Sequence, residues 1–169
     1  MWLVIGLLMQ LTLLGIEGQT STVILDLSPG WNLVSLPFEE NSNVHTYWKW
    51  DSDSQNYSLG TSLEPLEGAW MFSAQNQYLT FTAQKVSRSS VSFKKDWNLH
   101  GPLNNMRVPY NKIVFGWDAR QGAYAKEESL LFVGKGYWFN AKEPEEDGLI
   151  VVGTDPVDLP SISASTEDG

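Results

Sequence analysis

Cysteine is absent from this chain, which excludes disulfide staples, thiolate nucleophiles, thiolate metal sites and iron–sulfur ligation. Histidine is nearly absent: His45 and His100 are the only two, too few for the usual zinc complement, and no metal or cofactor is expected. Past the leader no apolar run approaches the ~20 residues that span a bilayer, so no membrane span is expected in the mature chain. No stretch there carries sustained helical periodicity either. Basic residues are scarce, 11 Lys and Arg against 20 Asp and Glu, for a net charge of −9. Such a surface repels phosphate backbones and argues against nucleic acid as a partner. The Gly-x-Ser-x-Gly elbow, the phosphate loop and the dinucleotide fingerprint are all missing, and no residue is assigned a catalytic role.

What the chain does have is tryptophan, and it has it in a repeating order. Trp31-Asn32-Leu33 returns as Trp97-Asn98-Leu99, Trp50-Asp51 as Trp117-Asp118, Tyr57 as Tyr124, and Gly68-Ala69-Trp70 as Gly136-Tyr137-Trp138, at offsets of 66, 67, 67 and 68 residues. Offsets that grow by single residues while the order holds are those of a duplicated unit with small loop insertions. The units run from 23 to 83 and from 89 to 153, each about 60 residues. Sheets of that size are hard to stabilise singly, so the two repeats are expected to share one core. Ahead of them, residues 1–18 read as a signal peptide, apolar from Met1 to Ile16 with small residues following. Behind them, residues 154–169 form an acidic, proline-punctuated tail expected to be disordered. An extracellular or cell-surface location follows from the leader.

Each unit opens on alternation. Val23, Leu25 and Leu27 precede the turn Ser28-Pro29-Gly30 and a second strand from Trp31. A later strand puts Thr46, Trp48 and Trp50 on one face and His45, Tyr47 and Lys49 on the other. In the second unit the matched faces carry Ile113, Phe115 and Trp117, and Lys112, Val114 and Gly116. Because the first face is large and apolar in both units, Trp48 and Trp50 are expected in the core, and the Tyr47 face is expected outside, free to vary. The fold class is therefore all-β: two tandem pseudo-symmetric repeats packed as one sandwich or barrel-like body.

The stretch Ser28-Pro29-Gly30-Trp31-Asn32-Leu33-Val34-Ser35-Leu36-Pro37, with Gly134-Lys135-Gly136-Tyr137-Trp138 later, resembles a β-rich module scattered through large secreted and cell-surface proteins of bacteria and archaea. The second unit departs from it at His100-Gly101-Pro102, and the first has Ala69 where the pattern has tyrosine. The resemblance implies a secreted β module and carries no defined activity.

Asp51-Ser52-Asp53-Ser54-Gln55 has the alternating oxygens of a calcium loop but lacks its glycine and its final glutamate. A solvated hairpin tip is the better reading. Glu39, Glu40, Glu64, Glu67, Glu127 and Glu128 fall in turn-rich stretches and are expected to be solvated. Aromatic residues that recur in pairs are expected to be fold-forming. Those without an aromatic twin, Tyr47, Tyr78 and Tyr110, are the ligand-binding candidates, with His45 and Lys49 beside Tyr47. The expected function is a non-catalytic binding or adhesion module for a glycan or an extracellular protein. A structural spacer of a larger assembly and a small hydrolase with carboxylates between the repeats are the alternatives.

Overall fold

The computed structural model describes residues 20–84, 86 and 88–152; the expected signal peptide and acidic tail lie outside them. The protein is all-β. The first half of the described chain holds β1 (Thr20–Leu27), β2 (Gly30–Ser35), β3 (Tyr47–Asp51), β4 (Asn56–Gly60), β5 (Gly68–Ser73) and β6 (Gln77–Gln84). The second holds β7 (Arg88–Phe93), β8 (Asp96–His100), β9 (Met106–Arg107), β10 (Ile113–Asp118), β11 (Ala123–Glu127), β12 (Leu130–Leu131), β13 (Tyr137–Ala141) and β14 (Glu145–Val152).

Two four-stranded antiparallel sheets form the body, in the orders β2-β5-β3-β4 and β8-β13-β10-β11. The order is the same in both when strands are matched by position in their half. Each sheet is accompanied by a two-stranded ribbon, β1-β6 in one half and β7-β14 in the other. The small β9-β12 pair has a reduced counterpart in the first half, the single bridge between Glu40 and Leu63.

The recurring asparagine explains why the Trp-Asn-Leu triplet begins a strand. Asn32 accepts from the Ser28 N–H at 3.0 Å and donates to the carbonyls of Ser28 and Gly30 at 2.9 and 3.0 Å. Asn98 accepts from the Lys94 N–H at 2.8 Å and donates to the carbonyls of Lys94 and Asp96 at 2.8 and 3.1 Å. Each side chain thus closes the turn before its strand by satisfying backbone groups that no ladder reaches. Both turns pass through a left-handed residue at the same place, Gly30 at φ 97° and Asp96 at φ 71°. The Pro-Gly pair is lost in the second half, yet the backbone path is kept.

Alternation along β2, β3 and β5 sends Val34, Tyr47, Ala69 and Met71 into a core with Val23, Leu25 and Leu27 of β1. Val114, Tyr137 and Phe139 do the same in the second half with Phe93 of β7. The opposite faces of the two sheets meet in a third cluster around Leu33, Leu99 and Trp138. Each half also reaches into the other: Leu66 is buried in the second core, and Val133 packs against the first. The halves join by backbone as well, through reciprocal bridges Val34 to Lys135 and Glu67 to His100. Two indoles complete the joint, Trp50 Nε1 donating to the Trp97 carbonyl at 2.9 Å and Trp117 Nε1 to the Trp31 carbonyl at 2.7 Å.

The expected orientation of β3 is reversed at Tyr47 and Trp48, while Trp50 packs against the third cluster. Tyr47 has no exposed surface, whereas Trp48 is 43% exposed. The β1-β6 ribbon covers the Tyr47 face, while the other face has only the opposing sheet to cover it, and that cover is incomplete. Asp51 does form the solvated hairpin tip: its carboxylate accepts from the N–H groups of Asp53 and Ser54 and from the Ser54 hydroxyl. The matched Asp118 accepts from the N–H groups of Arg120 and Gln121.

Candidate functional site

The residues expected to bind ligand are not brought together in one place: His45 lines a cleft with Trp31, Trp48 and Phe72, and Tyr78 lines another with Asp26 and Arg120. Tyr47 is sealed in the first core, where its hydroxyl donates to Glu40 Oε2 at 3.1 Å; burial, then the adjacent Glu40 carboxylate, push its pKa upward. Glu40 is itself buried rather than solvated, held also by the Ser42 hydroxyl and N–H. His45 is half-buried, edge-on to Phe81 with centroids 5.3 Å apart. Lys49 forms a half-buried ion pair with Glu67 at 2.8 Å. Tyr78 and Tyr110 are exposed as expected, but they stand away from any aromatic neighbour that the described contacts bring to them.

Several of the paired aromatics stand at the surface as well. Trp31, Trp48, Tyr57, Trp97 and Tyr124 are all more than a third exposed, and of the paired tryptophans only Trp138 is buried. They line two clefts where the sheets face each other. The first cleft, about 460 Å³, is lined by Trp31, Trp48, Tyr57, Trp70, Trp117 and Tyr124. The second, about 500 Å³, is lined by Trp97, Phe115, Tyr124, Trp138, Trp50 and Tyr57. Written in that order the two linings match position by position. Each cleft takes residues from both halves, and Tyr57 and Tyr124 belong to both.

The clefts are held by edge-to-face contacts. Trp70 meets Trp117 with centroids 5.2 Å apart at 83°, and Trp50 meets Trp138 at 5.2 Å and 81°. Such pairs contribute about 0.5–1.5 kcal/mol each beyond area burial. Trp70 Nε1 donates to the Tyr57 hydroxyl at 3.0 Å. Burial raises the Tyr57 pKa, and that indole donor partly offsets it. Burial raises the Tyr124 pKa, Tyr57 adds to the rise and the matched Trp138 indole partly offsets it, although Trp138 Nε1 itself has no hydrogen-bond partner. Both phenols stay neutral and able to donate near pH 7.

The matched skeletons have different rims. Leu59 lies across the ladder from Trp48, and Phe72 from Trp31. At the second cleft the same places hold Lys126, across from Phe115, and Asn140, across from Trp97.

No family model, curated protein or solved structure matches the chain.

A further cavity of about 450 Å³ lies between the β1–β2 turn and the β10–β11 hairpin, with Asp26, Arg120, Glu127 and Lys135 on its wall. Burial raises the Glu127 pKa, opposed by Lys135. Arg120 reaches Asp26 at 3.8 Å across this space. Its charges serve one another, whereas the aromatic clefts offer apolar area with nothing over it. Among the described residues no cluster of three or more His, Asp or Glu is arranged to hold a metal ion.

Sequence reasoning missed the clefts because recurrence was equated with burial. One signal pointed the other way. Trp31, Trp48, Trp50, Tyr57, Trp70 and Phe72 all fall on one face of a single four-stranded sheet, and the second sheet adds a similar set. Two such faces carry more ring area than one layer between them can bury.

Proposed function

We propose that the protein is a secreted or cell-surface, non-catalytic binding module whose ligand seats in the two aromatic clefts. We further propose that its halves are copies of one unit, so that the clefts are two versions of one site. The observation that carries the reading is the exposure of five large rings, contributed by both halves, in matched clefts whose walls are nearly all aromatic. Tryptophan and tyrosine combine apolar area with a polar tip and dominate contact energies where a partner desolvates them. The cleft linings carry no carboxylate or imidazole, so their chemistry suits contact rather than proton transfer. The leader's composition supports export.

A glycan or an extracellular protein is the ligand class expected from sequence. A panel of glycans and small ligands, read by tryptophan fluorescence and by the indole N–H resonances, tests the reading. A hit is expected to shift the cleft indoles, and Tyr124→Ala, which opens both clefts, is expected to weaken it by about ten-fold or more. A hit unaffected by Tyr124→Ala places the site elsewhere.

A further inference from the structure

The first ribbon is finished along one strand only. β1 and β6 pair in unbroken register, from Thr20 with Gln84 through Leu27 with Gln77. On the face turned to the core, the β1 row Val23, Leu25 and Leu27 is at most 5% exposed. The β6 row beside it, Leu79, Phe81 and Ala83, packs on the same core yet stays half-buried, even with His45 edge-on to Phe81. Among the described residues β6 pairs with β1 alone, and no other backbone hydrogen bond reaches its outer edge.

An open edge of this length is a template for another strand, and proteins blunt such edges with charge, proline or a bulge. The second half does so. β14 starts 68 residues after β6 and opens on Glu145, Glu146 and Asp147, with a register shift between Glu145 and Leu149. β6 reads Gln-Tyr-Leu-Thr-Phe-Thr-Ala-Gln, with no charge, no proline and no shift. β4 is uncharged as well, but it is only five residues long and adds no residue to a core cluster.

The sequence of β6 matches its own reverse in side-chain character. Set antiparallel to a second copy about a two-fold axis through Thr80, Leu79 of each strand faces Phe81 of the other, Gln77 faces Ala83, Tyr78 faces Thr82, and Thr80 meets its own twin. Apolar side chains then meet on the core-facing side and complete the half-buried row. Hydroxyls meet on the outer side, as those of Thr22 and Thr82 do across the ribbon at 3.0 Å. No charge opposes its own image. A foreign strand would have to supply that alternation, whereas a second copy carries it by construction.

We propose that the β6 edge joins two copies of this chain, fusing their ribbons into one antiparallel sheet in the order β1-β6-β6-β1. The interface uses none of the residues that line the aromatic clefts, so it stands or falls apart from the binding reading.

Sedimentation equilibrium of the intact protein over a dilution series tests it. A single strand edge is a small interface, so a monomer–dimer equilibrium with a Kd on the order of 10–100 µM is expected. Thr80 is exposed, and Thr80→Lys and Thr80→Glu are each expected to weaken association about five-fold or more by setting like charges opposite each other. An equimolar mixture of the two is expected to restore it, because an ammonium then faces a carboxylate. Leu59→Lys, which puts the same charge on the edge of β4, is expected to change association by less than about two-fold. Because the chain has no cysteine, Thr80→Cys supplies one thiol per copy, and mild oxidation is expected to link two copies through it. Thr22→Cys, on the same outer face but on β1, is not. Thermal unfolding checks the fold of each variant. A protein that stays monomeric up to about 1 mM, a mixture that associates no better than its components, equal effects of Leu59→Lys and Thr80→Lys, or equal cross-linking through Thr22→Cys overturns the proposal.

Discussion

Asn32 and Asn98 show how one side chain can fix a supersecondary element. Each satisfies three backbone groups in a turn, and Asn98 has no exposed surface. Replacing it with alanine leaves those part-buried groups without their partners, at a cost of about 1–2 kcal/mol. Asn98→Ala is therefore expected to lower the denaturant midpoint clearly in chemical unfolding, with an unchanged slope. His100 is a second case. Its ring stacks on Phe93 at 5.7 Å, and its Nδ1 lies 3.3 Å from the Leu66 carbonyl, which the neutral Nδ1–H tautomer donates to. Desolvation lowers its pKa to about 4, opposed by that carbonyl. The unfolded chain therefore binds the proton more readily than the folded one. This contribution to stability is present in full above the ordinary pKa of about 6.5 and is lost as pH falls through about 4. Part of the residue reaches solvent, so a loss of about 2 kcal/mol between those limits is expected. Denaturation curves of wild type and His100→Asn across that range measure it; the variant's pH slope should be shallower.

At the scale of elements, β3 carries the main lesson. Its two faces were legible as sets, and the sets are right: Trp48 and Trp50 point one way, Tyr47 and Lys49 the other. Their assignment to core and surface was not legible, because a period of two is the same read from either side. Tyr47→Lys would place an ammonium in a sealed core and is expected to prevent folding, at more than about 4 kcal/mol. Trp48→Lys on the cleft wall is expected to cost less than about 1.5 kcal/mol while reducing any ligand affinity of the first cleft. Thermal unfolding of the pair decides the orientation directly. The strand positions, the hairpin tips at Asp51 and Asp118, and the turn before each Trp-Asn-Leu were readable, since local turn chemistry and alternation suffice for them. The exposure of Trp31, Tyr57, Trp97 and Tyr124 was not, because it depends on how far the second sheet covers the first.

At the scale of the molecule, the joint between the halves is built from matched positions that touch. A Cβ on Gly101 would collide with the Ser35 side chain and come within 2.7 Å of the Lys135 carbonyl. Ser35 and Gly101 are themselves matched, each four residues after its tryptophan. Where the halves meet, there is room for one side chain between two backbones, and the chain places serine on one side and glycine on the other. Ser35 is fully buried, and its hydroxyl has no partner. Gly101→Ser alone is expected to destabilise by about 3 kcal/mol or more through overpacking. Adding Ser35→Gly is expected to recover most of that loss, a coupling that a double-mutant cycle by chemical denaturation would read. If the two changes proved additive, the halves would not meet there as described.

The sequence by itself determined that the protein is all-β, where its strands begin, and which residues share a strand face, because turns and two-residue alternation are local properties. Only the tertiary structure decided which face of each sheet is inside. Burial belongs to whatever is packed on top, and here the ribbons cover the central strands of one face while two aromatic faces, too large to bury each other, leave their rings open in matched clefts.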